Sequence, residues 1–190
     1  MRITGLAGLA AAMLLGVAAC APAATTASKA WPEFRMPGAD FAVSLPAKPE
    51  VSRDTTAKDG SVSRSYHVDE GAIVYMVAYS ASTPKSKKIA PLDGWLDNAR
   101  NDIVAKMGGK LRDERRFALG DSRGMELVLD IPKIGEKDAY TVRGRFYVKH
   151  AGTGKDLKDI LYQTIIVGDP GRDADASVAR FLDSFHFVAG

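Results

Sequence analysis

The chain is short of cysteine, histidine and long hydrophobic runs. It carries 1 Cys, 3 His and 2 Trp in 190 residues. One thiol excludes an intramolecular disulfide framework. His67, His150 and His186 lie far apart, and none has a second ligand at the short spacing that zinc sites use. His67-Val68-Asp69-Glu70 does bring an imidazole near carboxylates, but a strand end entering an acidic turn accounts for it. The sequence therefore implies no metal centre and no bound cofactor. The formal net charge is only +3, too small to point to nucleic acid as a partner. The one extended uncharged apolar stretch is residues 3–17, shorter than the roughly 20 residues a membrane-spanning helix needs.

That stretch follows Met1-Arg2 and leads to the single cysteine, in Leu15-Gly16-Val17-Ala18-Ala19-Cys20. A positive start, a short apolar segment and small residues before a cut site form a secretory signal. Val17-Ala18-Ala19-Cys20 resembles the bacterial lipobox: an aliphatic residue, two small residues, then cysteine. The resemblance implies cleavage before Cys20, a diacylglyceryl thioether on its sulfur, and acylation of the new amine by a fatty acid such as palmitate. An ordinary signal peptide cut after Ala19 or Ala24 is the alternative, but it leaves an unpaired thiol in an exported protein without a purpose. Two or more acyl chains hold a protein stably at a bilayer, at about 0.8 kcal/mol per buried CH₂. Ala21 follows the cysteine rather than Asp. By resemblance to enterobacterial sorting, that implies the inner leaflet of the outer membrane, facing the periplasm.

The expected organisation is a signal peptide over 1–19, a lipidated tether over 20–33, and one globular domain over 34–190. Residues 21–30 are small, polar and Pro-bearing, a composition that cannot bury enough apolar surface to order itself. Beyond them the pattern predicts an α+β fold: a mostly antiparallel sheet of about six or seven strands with helices on its faces. Phe41, Val43 and Leu45 alternate before Pro46 and Pro49, suggesting a short edge strand. Val62, Tyr66 and Val68 suggest a second. From Ile73 to Tyr79 both parities are apolar, the pattern of a strand covered on both faces. Leu92, Trp95, Leu96, Ala99, Ile103 and Met107 recur at helical spacing between Pro91 and Gly108-Gly109. Further strands are expected near 110–119, 123–131, 139–149 and 159–167. Val178, Phe181, Leu182 and Phe185 mark a closing helix capped by Asp173 or Asp175.

For the central strands the pattern fixes a register. Placing Met125, Leu127, Leu129 and Ile131 on the face shared by Tyr140, Val142, Gly144 and Phe146 sets Leu127 opposite Gly144 and Leu129 opposite Val142. Glu126 then lies opposite Arg145 on the other face.

Few constellations suggest chemistry. Gly152-Thr153-Gly154-Lys155-Asp156 lacks the spacing of a phosphate loop and reads as a hairpin connection. Gly120-Asp121-Ser122-Arg123-Gly124 matches the letters of a hydrolase nucleophile elbow at Ser122. A strand rather than a helix is expected after it, so a turn between strands is the simpler reading. Arg112, Arg115, Arg116, Arg123, Arg143, Arg145 and Lys149 are expected to make one face of the sheet basic. This is a candidate docking surface for an acidic or phosphorylated partner, or a solvated, cross-paired face. Lys85, Lys87 and Lys88 could add a loop that meets anionic lipid. Tyr75, Tyr79, Trp95 and Tyr162 could line a pocket between sheet and helix.

The order of elements resembles the PsbP-type α/β/α sandwich. Phe41-Ala42-Val43-Ser44-Leu45-Pro46 and Arg180-Phe181-Leu182-Asp183-Ser184-Phe185 are similar to the opening and closing segments of bacterial relatives of that type. The likeness spans roughly residues 38–188 and implies an extrinsic accessory role, with no site residues carried over. The expected function is a non-catalytic accessory or binding domain presented at a membrane to an envelope protein partner. The alternatives are a carrier of a small apolar ligand and a hydrolase using Ser122.

Overall fold

The computed structural model describes residues 30–83, 91–133, 135 and 138–188, without the Lys155 side chain. The chain divides into Met1–Ala30 and Trp31–Gly190, and the second unit is the one described. It is an α+β structure. Its strands are β1 (Glu33–Arg35), β2 (Phe41–Ser44), β3 (Glu50–Thr56), β4 (Val62–Asp69), β5 (Ile73–Ser82), β6 (Lys110–Leu119), β7 (Ser122–Ile131), β8 (Tyr140–Ala151), β9 (Lys158–Gly168) and β10 (His186–Phe187). The helices are α1 (Leu92–Met107) and α2 (Ala176–Asp183), the latter preceded by a 3-10 turn, Arg172–Ala174.

Seven strands form one antiparallel sheet in the order β3-β4-β5-β9-β8-β7-β6. Side chains alternate between its faces, and each face has its own cover. On one face Tyr75, Val77, Tyr162 and Ile166 pack under α2 and the β1-β2-β10 sheet through Phe41, Val43, Phe181, Leu182 and Phe185. On the other, Leu96 of α1 packs on Met125, Leu127, Phe146 and Val148. Further along, Ile103, Val104 and Met107 pack on Leu129, Ile131 and Val142. Strand β7 lies under both covers, and Gly124 through Leu129 are all buried.

The β7–β8 register is the expected one: Leu127 opposes Gly144, Leu129 opposes Val142, and Glu126 opposes Arg145. Helix α1 ends where Gly108 takes a left-handed conformation (φ 62°) and donates its N–H to the Val104 carbonyl at 3.1 Å.

Ten strands are described rather than the expected six or seven: β2 was expected, whereas β1, β3 and β10 were not. β2 is not an edge strand. It is the middle of the small sheet, between β1 and β10, and Phe41, Ala42 and Val43 are all fully buried. Pro46 and Pro49 lie beyond its end, so they interrupt no ladder. β3 was missed because every residue in it is exposed, leaving no alternation to detect. It is held by its ladder to β4, with a bulge between Val51 and Arg53.

Gly152 opens the β8–β9 connection with φ 78°, and a Cβ there would lie 2.5 Å from the Asp156 carbonyl oxygen. Gly60 is also left-handed (φ 79°) but faces open space. Gly152→Ala should therefore cost about 2–4 kcal/mol, combining backbone strain with overpacking. Gly60→Ala should cost only about 1–2 kcal/mol. Urea unfolding of the two variants checks the difference, and equal losses would refute the close approach at Gly152.

Candidate functional site

Strands β6, β7 and β8 carry the expected basic residues, and alternation divides them. Arg112, Arg115, Arg143, Arg145 and Lys149 meet partners on the α2 face. Arg116 points the other way, to Asp97 of α1 at 2.7 Å and to Glu114 at 2.7 Å. Adjacent strand residues face opposite sides, so Arg115 and Arg116 could not share a surface.

Of the five on the α2 face, Arg143, Arg145 and Lys149 are committed to partners inside the fold, whereas Arg112 and Arg115 are ion-paired with exposed side chains. Glu126, side chain 8% exposed, accepts from Arg115 at 3.0 Å, Arg143 at 2.6 Å and Arg145 at 2.6 Å. Arg143 also donates to the Asp173 carbonyl at 2.9 Å, and Arg145 to the Leu182 carbonyl at 3.0 Å and to Asp183 at 2.7 Å. Arg112 bridges Asp130 at 3.1 Å and Asp173. Burial pushes the Glu126 carboxyl up, but hydrogen bonds from Arg145 and Arg143 outweigh it and hold the group below its ordinary value. The cluster ties the 3-10 turn and α2 to the middle of the sheet. Asp173, one of the two expected caps, is a partner of Arg112, and Asp175 precedes α2 without a side-chain capping bond.

Lys149 pairs with Asp40, which also accepts from the Tyr162 hydroxyl at 2.6 Å. The ammonium lies 4.7 Å from the Phe187 ring centre, a cation–π contact. Burial and the Asp40 carboxylate both push the Tyr162 hydroxyl up.

The four aromatics expected to line one pocket are split between faces. Tyr75, Tyr79 and Tyr162 sit on the α2 side, where Tyr162 is completely buried and packs on Tyr79 at 5.6 Å and Phe41 at 5.4 Å. Tyr75 meets Phe181 at 5.3 Å and Trp31 at 5.5 Å. Trp95 is on α1, beyond the sheet. The tyrosines belong to a filled core.

Ser122 is the first residue of β7 and 1% exposed. Gly120, at φ 58°, and Asp121 form the two-residue turn joining β6 to β7. Strand-turn-strand lacks the helix that a nucleophile elbow requires. The histidines engage separate partners: His67 with Ser52 Oγ at 2.8 Å, His150 with Asp159 at 2.8 Å, and His186 with the Ser184 carbonyl at 2.9 Å. Among the described residues no three His, Cys, Asp or Glu side chains gather as a metal site.

The feature sequence reasoning missed is an open groove of about 500 Å³ along one flank of α1. Trp95, Asn98, Asp102 and Lys106 line its helix wall, and Phe146, Leu161 and Gln163 its sheet floor. One signal was present: Gln163 interrupts the otherwise apolar set Leu161, Ile165, Val167 on that face of β9.

Cys20 and the lysines at 85, 87 and 88 lie outside the described residues. No helix among the described residues is long and apolar enough to cross a membrane. No protein-family model matches the chain, and no curated protein matches it by sequence.

Proposed function

We propose that this protein is an envelope lipoprotein, held through Cys20 in the inner leaflet of the outer membrane, whose domain is a non-catalytic accessory or binding module facing the periplasm. The observation that carries the reading is the cysteine itself, placed behind an export signal and ahead of a polar tether. The unit described begins at Trp31, three residues before the expected domain start at 34. The PsbP-type likeness is part of the proposal. It is supported by cover on both faces of an antiparallel sheet, and it would make the domain an extrinsic partner of another envelope protein.

The alternative reading, a carrier of a small apolar ligand, would have to use the α1 groove, whose volume falls in the range of ligand sites but whose open, amide-lined wall disfavours an apolar occupant. Of the four aromatics first expected to serve it, only Trp95 is there.

Membrane fractionation after labelling with a fatty acid tests the anchor. The wild-type protein should carry the label and sediment with membranes, whereas Cys20→Ser should be unlabelled and folded in the soluble fraction. A Cys20→Ser protein that still sediments with membranes would remove the anchor reading.

A further inference from the structure

The groove beside α1 combines an aromatic wall with free amides. Trp95, Asn98, Asp102 and Lys106 recur at three- and four-residue steps, so they share one flank of the helix. From Trp95 to Lys106 that flank runs roughly 16 Å at about 1.5 Å per residue. Trp95 is half-buried against the core below it, leaving part of the indole toward the groove. Among the described residues the side chains of Asn98 and Gln163 make no hydrogen bond, and neither does the indole N–H. Asn101 accepts from Arg100 Nε at 3.1 Å through its carbonyl, which leaves its NH₂ to donate.

The charge in the groove is self-contained. Asp102 and Lys106 pair with each other at 2.9 Å. The lining therefore offers no net field to select an anion or a cation. It offers a flat apolar ring bordered by groups that each donate and accept. An enclosed apolar ligand does not fit, because the groove is open along its length and Asn98, Asn101 and Gln163 would lose water without replacement. A sugar chain does fit. The C–H face of a pyranose lies on an indole, hydroxyls meet planar amides, and acetamido groups pair amide to amide.

We propose that the α1 groove binds an N-acetylated glycan, the glycan strand of the cell wall, through its sugar faces and acetamido groups rather than its charges. The inference deepens the binding-module reading and rests on it. Trp95 supplies the stacking surface, and Asn98, Asn101 and Gln163 the directional contacts. The occupant is elongated, which suits an open groove rather than a closed pocket.

The test uses the detergent-solubilised full-length protein, purified cell-wall sacculi, and a soluble N-acetylglucosamine tetramer as competitor. The wild-type protein should sediment with sacculi and be released by the tetramer. Trp95→Ala should weaken binding roughly tenfold, about 1.4 kcal/mol. The exposed Asn98→Ala, which risks nothing in the core, should weaken it by a smaller but measurable factor. Lys48→Ala, exposed and away from the groove, should bind as wild type. Absence of sedimentation, equal binding by the Trp95 and Asn98 variants, or binding that the tetramer does not compete would each overturn the proposal. The lipid takes no part in this assay, so its failure is separable from a failure of the Cys20→Ser fractionation.

Discussion

Glu126→Ala is expected to destabilise the protein by about 3–5 kcal/mol, because it removes the buried carboxylate that Arg143 and Arg145 share and leaves Arg145 only the exposed Asp183. Arg145 and Arg143 are 14% and 23% exposed in their side chains and would remain beneath α2 without their shared acceptor. Arg115, at 64% exposed, can return to water and contributes little. Urea unfolding should show a lower midpoint with an unchanged slope. An exposed pair would lose only about 1 kcal/mol or less, so a loss that small would show the cluster to be a solvated surface after all. Because Arg145 and Arg143 also hold the Leu182 and Asp173 carbonyls, α2 should exchange its amides faster in the variant.

The same carboxylate gives a pH signature. The folded Glu126 carboxyl sits below its ordinary value of 4.5. Its contribution is therefore complete above about that pH and is lost as pH falls through the lower, folded value. Glu126→Gln should flatten this acid limb of the stability profile, and an unchanged limb would assign it to other carboxylates. Asp40 and Glu114 are also held low by cationic partners, so the limb should flatten without vanishing.

Phe185→Ala should cost about 3–5 kcal/mol as well, by a different mechanism. Phe185 stacks on Tyr147 at 4.0 Å with an interplanar angle of 12° and on Phe41 at 5.2 Å, and meets Tyr162 and Phe187 edge-on. It is 7% exposed, although it lies past the end of α2. Its removal opens a cavity where the large sheet, the small sheet and the C-terminal segment meet. Phe185→Leu keeps most of the volume and should cost markedly less. Thermal unfolding of the two variants separates a packing role from a mere terminal contact, which would give two small and similar losses.

Several elements were legible because their signal is local. The β7–β8 register followed from alternation in Met125, Leu127, Leu129 and Ile131 against Val142 and Gly144, since a one-residue slip would bury Arg143 among them. Helix α1 followed from its apolar spacing and from Gly108. The candidate site was less legible. Reading seven cations as one basic face overlooked that Arg115 and Arg116 are neighbours on a strand, an error visible in the sequence itself. The pairing of Arg145 with Glu126 was visible in the register, but the more distant partners, Asp40, Asp173, Asp183 and the Leu182 carbonyl, lie far along the chain and were not.

The sequence by itself determined the α+β class, the limits of the long strands and the central register, because periodicity and turn chemistry act over a few residues. It also carries the whole case for Cys20. Only the tertiary structure decided which side chains are free to act. A strand's alternation puts Tyr162 on one face and a helix's spacing puts Trp95 on one flank, but the cover above each comes from distant segments. Here β2, β10 and α2 fill the tyrosine side, while α1 covers its face only in part, and the groove with its unpaired amides is left on that side.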